Sequence, residues 1–212
     1  MSEWVGPLSF TTTQIPAAMD YTQDFEDPAH GWALSNGSET NTWAVGTAVN
    51  NGGTQALYIT NDAGVTNAYD TGATSVVHAY RDIQMPATLA DISLSFDWKS
   101  DGENNWDYLR VWLVPVTYSP VPGTQIAADT GIQQVGGDYQ DGTTWTTVNA
   151  VIDASEYAGQ AVRLVFEWRN DGGGGTNPPA AVDNIALAVI TCSSPADLEL
   201  CLLYTSPSPR DS

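Results

Sequence analysis

The stretch from residue 101 to 107 carries three carboxylates, Asp101, Glu103 and Asp107. Carboxylate oxygens are ligands that Ca²⁺ prefers. The spacing is not that of an EF-hand, in which oxygen ligands recur at alternate positions and a Glu closes a 12-residue loop. Clustered carboxylates in a loop are more often solvated than metal-bound. The sequence therefore favours a solvated cluster, with a metal-binding loop as the alternative.

A second polar stretch, residues 170–179, contains four consecutive glycines followed by Thr, Asn and two prolines. These residue types tolerate turn geometry and fit neither helix nor strand. The composition is typical of a mobile connection or loop tip. A mobile loop is the favoured interpretation, and a ligand or metal loop is the alternative.

Residues needed for catalysis do not occur in a recognisable arrangement. The two histidines, His30 and His78, lie in no metal-binding HExxH helix, and no GxSxG motif supports a serine hydrolase. Paired carboxylates serve glycosidases, but with 25 acidic residues such pairs arise by chance. His78 falls in a predicted strand and is interpreted as an ordinary strand residue. No catalytic residue is assigned, and the chain is predicted not to be an enzyme.

Aromatic residues give another kind of candidate site, because exposed indole and phenol rings stack on sugar rings. Trp98 and Trp168 alternate in step with apolar neighbours and are predicted to lie in the core. Trp106 and Tyr139 lie in polar stretches, and Trp112 alternates out of step with the apolar residues of its own segment. Trp106, Trp112 and Tyr139 are therefore predicted as glycan-binding residues, with simple packing as the alternative.

The elements that position these residues are predicted to be strands. Helical periodicity is almost absent, and short alternating segments bounded by Gly, Asn, Asp and Pro recur between residues 56 and 190. Three such segments, 92–98, 109–113 and 162–168, are predicted to supply the core. Four further candidate strands are 56–60, 76–83, 146–153 and 181–190. Antiparallel sheets with one solvent-exposed face and one apolar face pack against each other as β-sandwiches. The predicted fold is all-β, an antiparallel two-sheet β-sandwich of the jelly-roll kind.

Composition excludes several classes of partner. Acidic residues outnumber Lys and Arg by 25 to 6, and the formal net charge is -19. Nucleic-acid affinity depends on neutralising phosphates with Lys and Arg, so no nucleic-acid partner is expected. No apolar run approaches the roughly 20 residues that span a bilayer, so membrane insertion is not expected. An acidic, Lys-poor chain rich in Asn, Thr and Gly fits an extracellular setting, where calcium is plentiful.

An ordered series of stretches resembles the bacterial MAM-like jelly rolls of the cleaved-adhesin and choice-of-anchor J type. The series covers about residues 20 to 190 and consists of Asp24–Pro28 with Gly31–Trp32, Trp43–Gly46, Ala56–Asp62, Leu94–Trp98, Asp107–Val111, Tyr157–Gln160, Leu164–Phe166 and Val182–Ile185. Any one stretch is weak, and the order of the series carries the resemblance.

The resemblance implies a structural calcium ion. In jelly rolls of this type, a Glu of the first strand and an Asp of the last lie side by side and share the ion. The matching positions here are Glu26 and Asp183, and Asp62 is a third candidate ligand. Separate carboxylates brought close together repel unless a cation lies between them. The alternative is that Glu26 and Asp183 are solvated or bonded within local turns.

The flanks resemble parts of other modules. Residues 1–13 resemble the end of a fibronectin type III module, and residues 191–200 resemble the start of a second one. Residues 201–212 resemble no folded element and are interpreted as translated sequencing-adapter sequence. Residues 14–190 are therefore predicted to be a MAM-like jelly-roll domain with neighbouring modules in the same chain.

These features predict a non-catalytic adhesion or recognition module of a secreted, multi-modular bacterial surface protein. Its expected partner is an extracellular protein or glycan, and its expected location is outside the cell or on the cell surface. A carbohydrate-binding module attached to an extracellular hydrolase is the alternative, and a structural spacer is a third. Exposed aromatic rings at the ligand surface would favour glycan binding, and a flat polar surface would favour protein adhesion or spacing.

Overall fold

The computed structural model describes residues 14–87 and 91–190. The residues assigned from sequence to the flanking modules and to the adapter, 1–13 and 191–212, lie outside the described residues. The strands of the described part are, in order, β1 (Ala17–Ala18), β2 (Tyr21–Gln23), β3 (Ala33–Ser35), β4 (Thr42–Gly46), β5 (Ala56–Thr60), β6 (Ser75–Gln84), β7 (Asp91–Ser100), β8 (Tyr108–Pro115), β9 (Gln133–Tyr139), β10 (Gly142–Asp153), β11 (Ala161–Asn170) and β12 (Ala181–Val189).

The strands form two facing sheets. Sheet A has the order β1-β6-β11-β8-β9, with β3 also paired to β6. Sheet B has the order β10-β7-β12-β5-β4, with β2 also paired to β12. All pairings are antiparallel except that of β1 with β6. The predicted antiparallel sandwich is confirmed, and every strand predicted from alternation is present.

The alternation that predicted the strands also builds the core. Along β7, buried and partly exposed residues alternate without interruption, as expected for a strand with one face inside. The rings of Phe96 and Phe166 meet edge to face across the two sheets, with centroids 5.2 Å apart. Trp98 and Trp168 are buried in the same core, as predicted.

A smaller apolar cluster lies on the outer face of sheet A. It consists of Trp112, Val114 and Val165, which point away from the main core, and Ile126 of the β8–β9 connection. Because this connection packs over the sheet, part of the outer face is shielded from solvent.

The two ends of the sandwich carry different features. At one end, here the upper end, β7 and β11 finish while β6, β8 and β12 begin. At the lower end Ala17 of β1 lies opposite Ile83, and Val189 of β12 lies opposite Ile92. The first and last described strands therefore meet the lower end, away from the polar loops that follow β7 and β11. In the part of the chain that the structure describes, no helix is long and apolar enough to cross a bilayer.

Truncating the ring at the centre of the core should be costly. Phe166→Ala is expected to lower the free energy of unfolding by about 3–5 kcal/mol, because it removes a fully buried ring and leaves a cavity. Val151→Ala, at a side chain 54% exposed on β10, should change it by less than about 0.5 kcal/mol. Urea unfolding of both variants measures the difference, and equal losses would contradict this account of the core.

Candidate functional site

The two polar loops singled out in the sequence pack against each other at the upper end. Gly102 and Thr176 exchange two backbone hydrogen bonds, each 2.9 Å long. The amide of Asp171 donates to Oδ1 of Asp107 at 3.2 Å. One carboxylate oxygen from each of Glu103, Asp107 and Asp171 consequently lies within 4.8 Å of the other two. This group, the acidic cluster, could hold a metal ion.

Burial and mutual repulsion make the acidic cluster electrostatically unfavourable by itself. Asp107 is fully buried, and the Tyr69 hydroxyl donates to its Oδ2 at 2.6 Å. Burial raises the pKa of Asp107, and the charges of Asp171 and Glu103 raise it further. Among the described residues, no hydrogen-bond partner reaches the buried Oε2 of Glu103. An all-oxygen set of this kind suits a hard cation such as Ca²⁺.

The predicted solvated cluster is therefore wrong for Asp107, and its partner Asp171 was missed. Asp171 and Asp107 are 64 positions apart in the sequence. Only the pairing of β8 with β11 brings their loops together. The shared acidic and glycine-rich character of the two loops was the one signal in the sequence.

The glycine run packs onto the acidic cluster. A Cβ added to Gly175 would lie 2.5 Å from Oδ2 of Asp107 and would collide with the Tyr69 hydroxyl. The φ angle of Gly175 is +110°, a region that favours glycine. Gly175 therefore lies in close contact with the acidic cluster, and a larger side chain there would push the loop away from the carboxylates.

Two of the three predicted calcium ligands lie at one loop. The amide of Asn51 donates to Oδ2 of Asp183 at 2.8 Å, and the amide of Thr54 donates to Oε1 of Glu26 at 2.7 Å. Both carboxylates thus bind the connection between β4 and β5. Glu26 also accepts the Thr54 hydroxyl at 2.7 Å, and these bonds lower its pKa.

The third predicted ligand, Asp62, lies elsewhere. The register of β12 with β5 puts Asp183 beside the beginning of β5, whereas Asp62 follows its end. At the rise of a strand this is a separation of about 20 Å. Asp62 closes its own turn, accepting the hydroxyls of Thr60 at 2.6 Å and Thr66 at 2.7 Å. These bonds lower its pKa to about 2, and Asp62 cannot share an ion with Asp183.

Asp97, rather than Asp62, is the carboxylate that lies beside Asp183. It lies directly opposite Asp183 in the pairing of β7 with β12. Its Oδ2 accepts the side-chain amides of Asn51 and Asn184, both at 2.8 Å. Burial raises the pKa of Asp183 to about 6, and the charges of Asp97 and Glu26 add to the rise. The hydrogen bonds to Asp183 come from the backbone amides of Asn51 and Asn184, and among the described residues its carboxylate does not lie within 4.8 Å of both the Asp97 and Glu26 carboxylates.

The three predicted glycan-binding aromatic residues have different environments. Trp112 is only 2% exposed, because Ile126 covers it in the outer apolar cluster, so the prediction of an accessible ring is wrong for this residue in the structure. Tyr139 is half-buried at the edge of the main core, where it contacts the rings of Phe96 and Trp98. Neither presents a free ring face.

Trp106 is 50% exposed and is held in place. It belongs to a turn in which its amide donates to the Glu103 carbonyl at 2.9 Å, and the preceding residue, Asn105, has a φ of +68°. Its carbonyl accepts from the guanidinium of Arg169, whose centre lies 5.6 Å from the indole ring. The turn that builds the acidic cluster therefore also presents this ring.

Trp106 continues into a row of arginine and tyrosine side chains on the outer face of sheet A. Arg169 lies directly opposite Tyr108, and the Arg110 guanidinium stacks on the Tyr108 ring at 4.3 Å. Arg110 forms a two-pronged ion pair with Asp138, at 2.5 and 2.9 Å. Trp106, Tyr108, Arg110 and Arg169 are here named the aromatic–arginine surface. Fixed, planar groups of this kind form hydrogen bonds and stacking contacts with little loss of freedom.

Comparison with known proteins gives the fold. No family model matches this chain, and a search of curated proteins found no match. The CBM22-1 xylan-binding domain of Paenibacillus barcinonensis Xyn10C is similar in structure, with a TM-score of 0.50 and 13% identity over 84% of this chain and 98% of that domain. The enzymatically active domain of tailspike protein 4 of bacteriophage CBA120 is also similar, with a TM-score of 0.51 and 16% identity. That match covers 79% of this chain and 20% of the tailspike chain. These similarities confirm the jelly-roll sandwich and leave the MAM-like assignment a prediction.

The raised pKa of Asp183 predicts a pH dependence of stability. An unfolded Asp ionises near pH 4. The folded chain holds this proton up to about pH 6, so the stability linked to protonated Asp183 is complete below pH 4 and is lost as the pH rises to 6. Asp183→Asn should therefore gain roughly 2–3 kcal/mol relative to the native chain between pH 4 and pH 7.

Urea unfolding in EDTA at pH 4, 5.5 and 7 measures this gain. Asp153→Asn is the matched control, because hydrogen bonds from Ser155 lower the pKa of Asp153. The stability linked to its ionised form is then lost only as the pH falls below about 4, so the difference between Asp153→Asn and the native chain should stay nearly constant from about pH 4 to about pH 7. A difference between Asp183→Asn and the native chain that stays constant over this pH range would contradict the prediction.

Proposed function

We propose that this chain is a non-catalytic carbohydrate-binding module of an extracellular, multi-modular protein. The observation that carries the proposal is the half-exposed Trp106, fixed beside Arg169 at the edge of the aromatic–arginine surface. An indole face stacks on the apolar face of a sugar ring, and neighbouring guanidinium, carboxylate and amide groups bind its hydroxyls. The similarity in fold to a xylan-binding domain is consistent with this function.

The polar groups beside Trp106 match a hydroxyl-rich ligand. Arg110 and Asp138 offer donors and acceptors that are partly exposed, with side chains 21% and 31% accessible. Gln125 accepts the Tyr108 hydroxyl at 2.8 Å and one Arg110 nitrogen at 3.2 Å, which fixes both groups. A neutral sugar is the favoured class of ligand, because the strong net negative charge of the chain would repel a polyanionic glycan.

The position of this surface suits a module carried between neighbours. The aromatic–arginine surface begins at the upper end, while the first and last described strands meet the lower end. Neighbouring modules joined at the lower end would leave the surface free. The ordered resemblance to MAM-like bacterial domains also supports an extracellular setting. Adhesion to a protein partner stays a prediction, and the exposed indole with its arginine neighbours favours a glycan.

Loss of the exposed ring should weaken glycan binding. Trp106→Ala is expected to reduce binding at least tenfold on an array of plant, bacterial and animal oligosaccharides, because one stacked aromatic ring contributes about 1.4 kcal/mol or more. Soluble xylan in affinity electrophoresis gives a second measurement. Val151→Ala, which removes an exposed apolar side chain from sheet B, should bind like the native chain. Unchanged binding of Trp106→Ala to every glycan that the native chain binds would remove the proposed site.

We further propose that the acidic cluster holds a structural calcium ion. Glu103, Asp107 and Asp171 bring carboxylate oxygens together from two loops, and burial and the neighbouring carboxylate charges raise the pKa of Asp107. An ion there would bind the two loops to each other and fix the turn that carries Trp106. Glu26 and Asp183, the positions that the resemblance to MAM-like domains implies, are the alternative.

Removal of calcium should lower thermal stability. In EDTA the melting temperature is expected to fall by about 5–10 °C, and excess Ca²⁺ should restore it, since an ion at 100 times its Kd stabilises by about 2.7 kcal/mol. Asp107→Asn should abolish the response to Ca²⁺, and Asp183→Asn should retain it. The reverse pattern would place the ion at Glu26 and Asp183, and a melt that ignores EDTA would contradict a calcium site altogether.

A further inference from the structure

Three buried side chains on the outer face of sheet A have hydrogen-bonding atoms without partners. His78, Glu167 and Trp112 are all buried, and His78 Nε2 lies 3.1 Å from Glu167 Oε2. His78 and Glu167 are direct neighbours across β6 and β11, and Trp112 lies opposite Val165, two residues before Glu167 on β11. Within residues 14–87 and 91–190, no partner reaches His78 Nδ1, Glu167 Oε1 or Trp112 Nε1. These three side chains are here named the covered polar group.

The cover is the β8–β9 connection, residues 116–132, here named the covering segment. The amide of Ile126 donates to Oε2 of Glu167 at 2.6 Å, and its side chain packs on Trp112. Apart from an isolated bridge between Asp129 and Ile132, the segment joins no strand ladder. The segment is attached at separate points and is not hydrogen-bonded to the sheet as a strand, so it can move away without disrupting the strand pairing of the sheet.

Further contacts attach the covering segment to the same face on either side of Ile126. The Arg163 guanidinium, paired with Asp82, donates to the Tyr118 carbonyl at 2.6 Å. The amide of Gly123 donates to the carbonyl of Val76 at 2.8 Å. Gln125 Oε1 accepts from the Tyr108 hydroxyl at 2.8 Å and from Arg110 at 3.2 Å, and Ser35 Oγ donates to the Pro120 carbonyl at 3.2 Å. The segment is thus held at several separate points, and the Ile126 amide is the one bonded to Glu167 of the covered polar group.

A cover that served stability alone would need no polar group beneath it. The contact of Ile126 with Trp112 and Val165 is apolar and well suited to that role. A buried Glu–His pair with unpartnered atoms instead destabilises the covered state, because desolvated polar groups that lack partners oppose burial. A ligand that brings hydroxyl groups would supply the missing partners.

We propose that the covered polar group is a second sugar-binding site and that the covering segment is displaced when an oligosaccharide binds there. The ligand class rests on the proposed carbohydrate-binding function. With the segment lifted, both Glu167 oxygens can accept sugar hydroxyls, Trp112 Nε1 can donate, and the Trp112 ring is free to stack on the sugar. Arg110 lies directly opposite Glu167, so this site is continuous with the aromatic–arginine surface.

The continuity sets the size of the ligand. Successive outward residues along β8, Tyr108, Arg110 and Trp112, are about 6.6 Å apart by strand geometry. A chain that stacks on Trp106 and reaches Trp112 therefore spans several sugar units. Short ligands would occupy the exposed end only, and longer ones would have to lift the segment.

Weakening the cover should strengthen binding. Ile126→Ala removes the apolar anchor of the segment without changing the three polar side chains, and the apparent Kd falls as the fraction of open molecules rises. At least threefold tighter binding to the longer oligosaccharides on the array is expected. Val121→Ala, on the same segment but 57% exposed, should bind like the native chain. The double variant Ile126→Ala with Glu167→Gln should lose the gain.

Closing the cover should have the opposite effect. Ser35 Oγ lies 3.2 Å from the Pro120 carbonyl. A disulfide between Ser35→Cys and Pro120→Cys is therefore designed to tie the segment to β3. Cys192→Ser and Cys201→Ser are added so that no other cysteine can form a disulfide. The oxidised form should bind the longer oligosaccharides at least tenfold more weakly than the same protein after reduction. Mass spectrometry of the oxidised protein checks the bond.

The outcomes separate this site from the exposed one. Unchanged or weaker binding by Ile126→Ala, or equal binding by the oxidised and reduced forms, would overturn the covered site, while binding lost in Trp106→Ala would leave the proposed function standing. Binding by Ile126→Ala that survives Trp106→Ala would support the covered site alone. No binding by either the native chain or Ile126→Ala would overturn both.

Discussion

The register of β11 between β6 and β8 is the constraint on which the rest of the structure depends. It places Leu164, Phe166 and Trp168 in the main core and Glu167 and Arg169 on the opposite face. A slip of one residue would exchange the two sets, burying charges in the core and exposing rings. The same pairing that fixes the core therefore also fixes Arg169 beside Trp106 and Glu167 beside His78.

The upper end of the sandwich shows how loops far apart in sequence become one unit. Asp107 immediately precedes β8, and Asp171 immediately follows β11. The antiparallel pairing of these two strands therefore brings the two carboxylates together. Gly175 allows the second loop to approach closely enough to cover them. Because Trp106 lies between Glu103 and Asp107, whatever stabilises the acidic cluster also fixes the exposed ring. The acidic cluster and the exposed indole are thus coupled through one turn.

The outer face of sheet A combines an open end and a covered centre. Its open end presents Trp106 with Arg169, and its centre holds the buried Glu167 beneath Ile126. In a chain with a net charge of -19, guanidinium groups on this face are distinctive. Arg110 pairs with Asp138 and stacks on Tyr108, and Arg163 pairs with Asp82 and stacks on Tyr80. The planes of both guanidinium groups are therefore fixed. Such preorganisation lowers the entropic cost of binding.

The sequence by itself determined the all-β class, the longer strands and the burial of Trp98 and Trp168, because alternation with a period of two is a local property. It could not find β1 to β4 or β9, whose short segments gain their places only by pairing with longer strands. The exposure of Trp106 was also readable, since it sits in a polar turn. Long-range contacts decided the rest. Ile126 covers Trp112, and the meeting of two loops buries Asp107 beside Asp171. Strand register separates Asp62 from Asp183 and places Asp97 opposite Asp183. Each of these depends on residues brought together by sheet pairing, which no local pattern encodes.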